Sequence, residues 1–305
     1  MKFLAAVFTD TEAYMQYEIS NGVISIAAVL KGAELVSLKK GDIEYLWQAD
    51  PAVWNRSAPN LFPFVGKLNG GVYRYEGKTY PMTPHGFARD LPFALSKRTD
   101  TYLQFTLSDT DETRKVYPFP FLFEITYTIT GSTLTQSWRV TNTGKRAMYF
   151  SLGAHQGFMC PVQGGKLTDC SIRFSGVKKI ERISAHTINA AGLVQERTDS
   201  LSLSDGEVRI TADMFSHDAL IFENSGIRAV TLLDKSKKEF VRVDFDTDVF
   251  GLWSPQERGA PFLCIEPWYG RCDLAGFSGE LSEREWGNSL PPSAVFEKSF
   301  SITLF

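Results

Sequence analysis

The run FLFEITYTITGSTLTQSWRVTN (121–142) limits what this chain can fold into more than any other stretch. Its two halves alternate apolar and polar residues, the period of a strand with one buried face. Gly131-Ser132 separates them, a dipeptide suited to a tight hairpin. Runs of the same kind recur as VISIAAVL (23–30), YLQFTLSD (102–109) and FVRVDFDT (240–247), broken by Gly, Asn and Asp turns. Only DTDETRKVY (109–117) and the region 282–286 read as briefly helical. A strand count well above about ten requires two packed sheets. The expected fold is therefore all-β, a large two-sheet antiparallel β-sandwich. No repeat and no Pro/Ser-rich linker interrupts it, so a single domain over 1–305 is expected.

Composition closes off several function classes. The chain is 43% hydrophobic and 22% charged over 305 residues, with a net charge of -3. That balance gives no reason to expect a nucleic-acid or membrane partner. Cys160, Cys170, Cys264 and Cys272 are too few for a disulfide scaffold and lack the paired spacings of structural zinc. The opening MKFLAAVFTD has too short an apolar run for most signal peptides and reads as a first strand. No apolar run of about 18 residues exists, so no transmembrane helix is expected and the cytoplasm is the default.

Candidate site residues gather in three stretches. The first, WNRSAPNLFPFVGKLNGGVYRYEGKTYPMTPHGFARD (54–90), holds Arg56, Lys67, His85 and Arg89. Pro59 and Pro63 bracket 60–62, which reads as irregular. Arg56, between Trp54 and an apolar turn, suits a fork that holds paired hydroxyls or an anion; Lys67 fits a solvated surface charge as well as a ligand contact. Gly86 lets backbone approach closely beside His85, which is otherwise a turn histidine. The second stretch, SLGAHQGF (151–158), sets His155 among small residues that leave room for a ligand, although a core histidine bonded to backbone fits too. The third, APFLCIEPWYG (260–270), ends the apolar run PFLCI on Glu266. A buried carboxylate is costly unless it is paired or functional, and Arg271 is the nearest pairing candidate. Trp268 and Tyr269 suit an aromatic wall against a sugar ring. Asp218, in SHDALIF, can bind a hydroxyl or cap a turn. His186 and His217 read as surface or structural residues.

Several mechanisms lack their motifs: GxGxxG, the P-loop, GxSxG and HExxH do not occur. Two His and a Glu can in principle hold a metal, and their separations neither support nor exclude it. Glycoside hydrolysis needs a second carboxylate, for which Asp218 and Asp248 remain open.

With these residues in hand, the chain resembles the aldose 1-epimerase (galactose mutarotase) family, and within it the bacterial LacX-like branch. The marks are NRSAPNLFPFVGKL with the YRYEGKTY hairpin, PHGFARD, SLGAHQGF, DALIFEN, GLWS, APFLCIEPWYG and EREWGN, in this order over nearly the whole chain. The resemblance implies a β-supersandwich with its site on one concave face, a small-molecule sugar substrate and no cofactor or metal. By position it makes Glu266 the general base, His155 the general acid and His85 a hydrogen-bond partner near the ring oxygen. Asp218 matches a hydroxyl ligand and Arg56 the Arg of the substrate-contacting turn. Two departures bear on the substrate: Lys67 stands where many members carry Arg, and the His155 neighbourhood lacks a common Tyr-Phe pair. HGFAR is shared with the branch that acts on hexose 6-phosphates.

Overall fold

In a computed structural model, residues 14–177, 180–255 and 259–305 are described; the expected strand at 1–10 lies outside them. The hairpin is as the alternation requires. Strands Phe121–Thr130 and Thr133–Asn142 pair antiparallel from Phe121↔Asn142 to Thr130↔Thr133, with Gly131 in the left-handed region at φ 55°. Alternate residues of the first strand are buried, from Phe121 to Ile129. The two strands lie within a nine-stranded antiparallel sheet. The C-terminal strand Val295–Leu304 is interior to that sheet, between Thr133–Asn142 and Glu239–Phe245.

A second large antiparallel sheet packs against the first. Along its path lie Val194–Ser202, Arg182–Ile188, Leu220–Glu223, Val249–Trp253, Phe262–Tyr269, Leu152–Ala154 and Asn60–Leu61, and Gln156–Met159 also pairs with Phe262–Tyr269. Asn60–Leu61, expected to be irregular, is thus a two-residue edge strand, paired through Gly153↔Leu61 and Ala154↔Asn60. The prolines on either side stop it from extending. Between the sheets is one apolar core that takes Phe123, Ile125 and Trp138 from the first sheet and Phe222, Leu263 and Ile265 from the second. Smaller sheets, among them the hairpin Val72–Tyr75/Lys78–Pro81, flank this body. The helical expectation holds in reduced form. Asp111–Val116 is one α-helix capped by Thr110, and Leu281–Glu283 is a single 3₁₀ turn. No described helix is long and apolar enough to cross a membrane.

A buried polar chain joins the sheets. Asn60 Oδ1 accepts from Gln136 Nε2 at 2.6 Å and Trp138 Nε1 at 3.0 Å, and Gln156 Nε2 donates to Gln136 Oε1 at 3.0 Å. Hydrogen bonds in this dry setting have fixed directions, so they hold the segment beside His155 in register with the opposite sheet.

Candidate active site

Glu266 lies in the middle of strand Phe262–Tyr269 rather than at its end. Side chains alternate along a strand. Leu263 and Ile265 enter the core between the sheets, so Phe262, Cys264, Glu266 and Trp268 share the outer face. On one side this strand pairs through Gly153↔Trp268 and, beyond a break, through Gln156↔Ile265. Both pairings follow one register, which sets His155 across from Glu266. On the other side Gly251 faces Glu266 and Trp253 faces Cys264.

Small residues shape this floor. A Cβ on Gly153 would meet Trp268 Cδ1 at 2.6 Å, and one on Gly251 would meet the far edge of the same indole at 2.6 Å. Trp268 therefore lies flat across both glycines beside Glu266. A Cβ on Gly157 would meet Trp54 at 3.1 Å and Phe262 and Trp47 at 3.3 Å. The small residues around His155 thus make room for aromatic rings, not for the ligand that the sequence suggests. Trp54 stacks on the His155 ring with centroids 4.9 Å apart, and Trp253 meets it edge-on at 5.5 Å.

Glu266 is 1% exposed and His155 8%. His155 Nε2 is 3.4 Å from Glu266 Oε2, yet among the described residues neither that oxygen nor His155 Nδ1 has a hydrogen-bond partner. Arg271, the pairing candidate from sequence, is engaged elsewhere: it binds Glu223 at 2.5 Å and also Glu285. Burial, and then the nearby charge of Asp218, pushes the Glu266 carboxyl well above the ordinary range. Burial, with Arg89 and Arg56 adding to it, lowers His155 to about 3. Each group therefore favours its uncharged form.

His85 enters from the turn at 83–86. His85 N–H donates to Gly66 O at 2.9 Å, and Gly66 N–H donates to His85 Nδ1 at 3.2 Å. Because Nδ1 accepts, a neutral His85 carries its proton on Nε2. Burial, then the neighbouring His155 and the charges of Arg89, Arg56 and Lys67, lower its pKa well below the usual value, which keeps the ring neutral. His85 and Gly86 both have positive φ, 66° and 73°, and a Cβ at Gly86 would meet Phe62 O at 2.3 Å. The His85 ring is edge-on to His155 with centroids 5.6 Å apart.

The cations surround this centre without converging. Arg56 pairs with Asp90 at 2.6 Å, while Arg89 donates to Pro84 O at 2.7 Å and lies 3.8 Å from the same Asp90. Burial and Arg56 lower Arg89 to about 10. Lys67 is exposed, its stem close over Gly192. Asp218 is exposed in a turn, with φ 67°. His186 bonds Gln195 O at 3.0 Å, and His217 is exposed 3.9 Å from Asp199, so neither joins the centre.

Comparison with known proteins adds to this geometry. The aldose 1-epimerase family matches residues 15–283. This chain belongs to the aldose 1-epimerase family. Its curated relatives include the chromosomal and plasmid LacX proteins of Lactococcus lactis subsp. lactis, each 31% identical over 95% of this chain and 99% of their own. Among solved structures it is similar to a galactose mutarotase related enzyme from Lactobacillus acidophilus, with 32% identity and a TM-score of 0.87 over 95% of this chain and 97% of that one. A galactose mutarotase-like protein from Lactobacillus casei ATCC 334 gives 30% identity and a TM-score of 0.88 over 95% and 100%. The all-β sandwich is the fold of this family.

Within this epimerase-family fold, His85, His155 and Glu266 come together, and Trp268 lies beside Glu266. Tyr269 belongs to no wall at the site. It points to the opposite face, where its hydroxyl donates to Asp246 O and its ring meets Trp138 edge-on. The alternation that carries Glu266 outward carries Tyr269 inward. Three site residues were not singled out from sequence: Trp54, Trp253 and Cys264. Cys264 had a readable signal, since two residues before Glu266 on a strand means the same face. Its sulfur, a His155 ring nitrogen and a Glu266 oxygen all lie within 4.8 Å of one another.

Proposed function

We propose that this chain is an aldose 1-epimerase that interconverts the α and β anomers of a neutral hexose. The observation that carries this reading is the opposition of His155 and Glu266 in register, 3.4 Å apart, with no cation paired with the carboxyl among the described residues. Glu266 as carboxylate takes the C1-hydroxyl proton while the bond from C1 to the ring oxygen breaks. His155 as imidazolium gives its proton to that oxygen. The product is the open aldehyde, which turns about C1–C2 and closes by the reverse transfers on its other face. The pair holds one proton throughout: on His155 before ring opening, on Glu266 after. Burial favours the second, uncharged arrangement, so it disfavours the charged pair that precedes ring opening and draws the proton transfer towards the open sugar. His85, with its proton on Nε2, suits a hydrogen bond to a sugar oxygen near the ring.

A neutral sugar is favoured because Asp90 engages Arg56 and stands beside Arg89, which leaves the cations partly balanced. Asp218, Lys67, Arg56 and Arg89 are proposed as contacts to hydroxyls around the rim, with Trp268 as apolar floor. The relay moves protons only and asks for no metal or cofactor. The four described Cys are all free thiols, which supports work in a reducing compartment, the cytoplasm. Polarimetry on freshly dissolved glucose and galactose, and anomer exchange by NMR for their 6-phosphates, tests the reading. Faster equilibration of the free sugars supports it. Sugar binding without acceleration would instead make the chain a carbohydrate-binding protein, and acceleration confined to phosphates would move it to the hexose 6-phosphate reaction.

A further inference from the structure

The acid/base centre contains a thiol that proton transfer does not use. Cys264 is buried on the same face of the same strand as Glu266, in the next row of the floor. Tetrahedral zinc takes nitrogen, oxygen and sulfur ligands at about 2.0–2.3 Å, so its ligand atoms lie about 3.3–3.6 Å apart. His155 Nε2 and Glu266 Oε2, at 3.4 Å, already span one such edge. Cys264 Sγ is within 4.8 Å of a ligand atom of each of the other two groups. Among the described residues Glu266 Oε2 has no hydrogen-bond partner to lose, and the Glu266 side chain is more than nine-tenths buried. His85 does not join the set through Nδ1, because that nitrogen accepts from Gly66 N–H.

We propose that Cys264, His155 and Glu266 form a site for a thiophilic divalent cation, Zn²⁺ by its donor set, and that filling it blocks the acid/base pair. One sulfur, one imidazole and one carboxylate make a borderline-soft triad, which suits Zn²⁺ and disfavours Mg²⁺ and Ca²⁺. A fourth position remains for water. On binding, the thiol loses its proton to solvent, Glu266 coordinates as carboxylate and His155 coordinates through a neutral nitrogen. Neither is then free to exchange a proton with a sugar. The cation site rests on the donor atoms alone; its inhibitory effect rests on the epimerase reading.

The test is titration of metal-free protein with Zn²⁺ by calorimetry, and with Co²⁺ by absorption, where a thiolate ligand gives a charge-transfer band in the near ultraviolet. A single Zn²⁺ per chain is expected, with no response to Mg²⁺. Loss of outer partners of a metal ligand typically costs about 10–100-fold in affinity, so loss of the ligand itself in Cys264→Ala is expected to cost at least about 100-fold. The Co²⁺ band is expected to vanish in Cys264→Ser. Cys170→Ser is the control, since the buried Cys160–Cys170 thiol pair offers Zn²⁺ a rival place; it is expected to leave binding intact. Mutarotation is expected to fall with the same midpoint as zinc binding. Unchanged Zn²⁺ affinity in folded Cys264→Ala, loss of binding in folded Cys170→Ser alone, or no stoichiometric binding overturns the site. Binding at Cys264 in a protein without mutarotase activity upholds the site and instead refutes the epimerase reading.

Discussion

His155, in the break between Leu152–Ala154 and Gln156–Met159, stands across from Glu266 on the adjacent strand, 3.4 Å away, although 111 positions (266 − 155) separate them in the chain. The relation is built into backbone pairing. Gly153↔Trp268 and Gln156↔Ile265 lie on either side of it in one register. A one-residue slip would turn one of the two side chains into the core, so the sheet itself sets the imidazole opposite the carboxyl.

Glu266→Gln keeps the shape of the side chain and removes the proposed base. A positioned acid or base contributes about 10²–10⁴-fold, so kcat is expected to fall by that factor, with similar loss in His155→Asn. The double variant is expected to lose less than the product of the single losses, because the two groups act as one unit. Near-normal mutarotation in a folded Glu266→Gln would overturn the assignment and make Asp218 the next carboxylate to examine. Thermal unfolding alongside the kinetics separates lost chemistry from lost structure.

Under the proposed function, Arg56 and Arg89 bear on the charge of the substrate. With Asp90 against both, Arg56→Ala is expected to raise KM for a neutral hexose without creating or removing a preference for phosphate. Asp90→Asn releases both guanidinium groups, and is expected to improve the kcat/KM ratio of a 6-phosphate over the free sugar. A strong 6-phosphate preference in the unaltered protein that disappears in Arg56→Ala and Arg89→Ala would reverse this reading.

The turn that holds His85 depends on a buried ion pair. Asp273 Oδ1 binds Arg284 Nε at 2.7 Å, with both side chains under 5% exposed. Asp273 also accepts from Asn69 N–H at 2.9 Å, and its own N–H donates to Lys67 O at 3.0 Å. Arg284 lies over the Phe64 ring at 5.0 Å. These contacts clamp the segment that includes Gly66, the partner of His85. Removing one member leaves an uncompensated buried charge, so Arg284→Met is expected to cost about 3–5 kcal/mol in urea unfolding. Arg284→Met with Asp273→Asn is expected to cost less than the two single changes summed. Additive losses would show that the pair is not coupled.

The sequence disclosed the elements whose signal is local. The 121–142 hairpin follows from period-two alternation around Gly131, and Glu266 stood out because a carboxylate in an apolar run demands a reason. What it withheld depends on pairing between distant strands. Arg271 is five residues from Glu266, yet it binds Glu223 and Glu285, because the strand ends at Tyr269 and the chain turns away at Gly270. The glycines beside His155 read as ligand space, and only the fold shows indole rings filling it. Asn60, between two prolines, gave no hint of the buried network that it anchors, since its partners Gln136 and Trp138 come from the opposite sheet.

The chain is expected to unfold as one unit. Its last strand, Val295–Leu304, is inserted between Thr133–Asn142 and Glu239–Phe245, which come from the two halves of the sequence. Asn60–Leu61 likewise completes the edge beside Leu152–Ala154 in the other sheet. A cut between the halves would therefore leave each with unpaired strands and an open core face, and unsatisfied buried backbone is costly. Brief proteolysis is expected to nick exposed turns while the fragments stay associated. Urea unfolding followed by far-ultraviolet circular dichroism and by tryptophan fluorescence is expected to give coincident transitions. Trp138, in the core between the sheets, and Trp54 and Trp253, at the site, report from both regions. Two separated transitions, or two fragments that each remain folded after separation, would show independent domains instead.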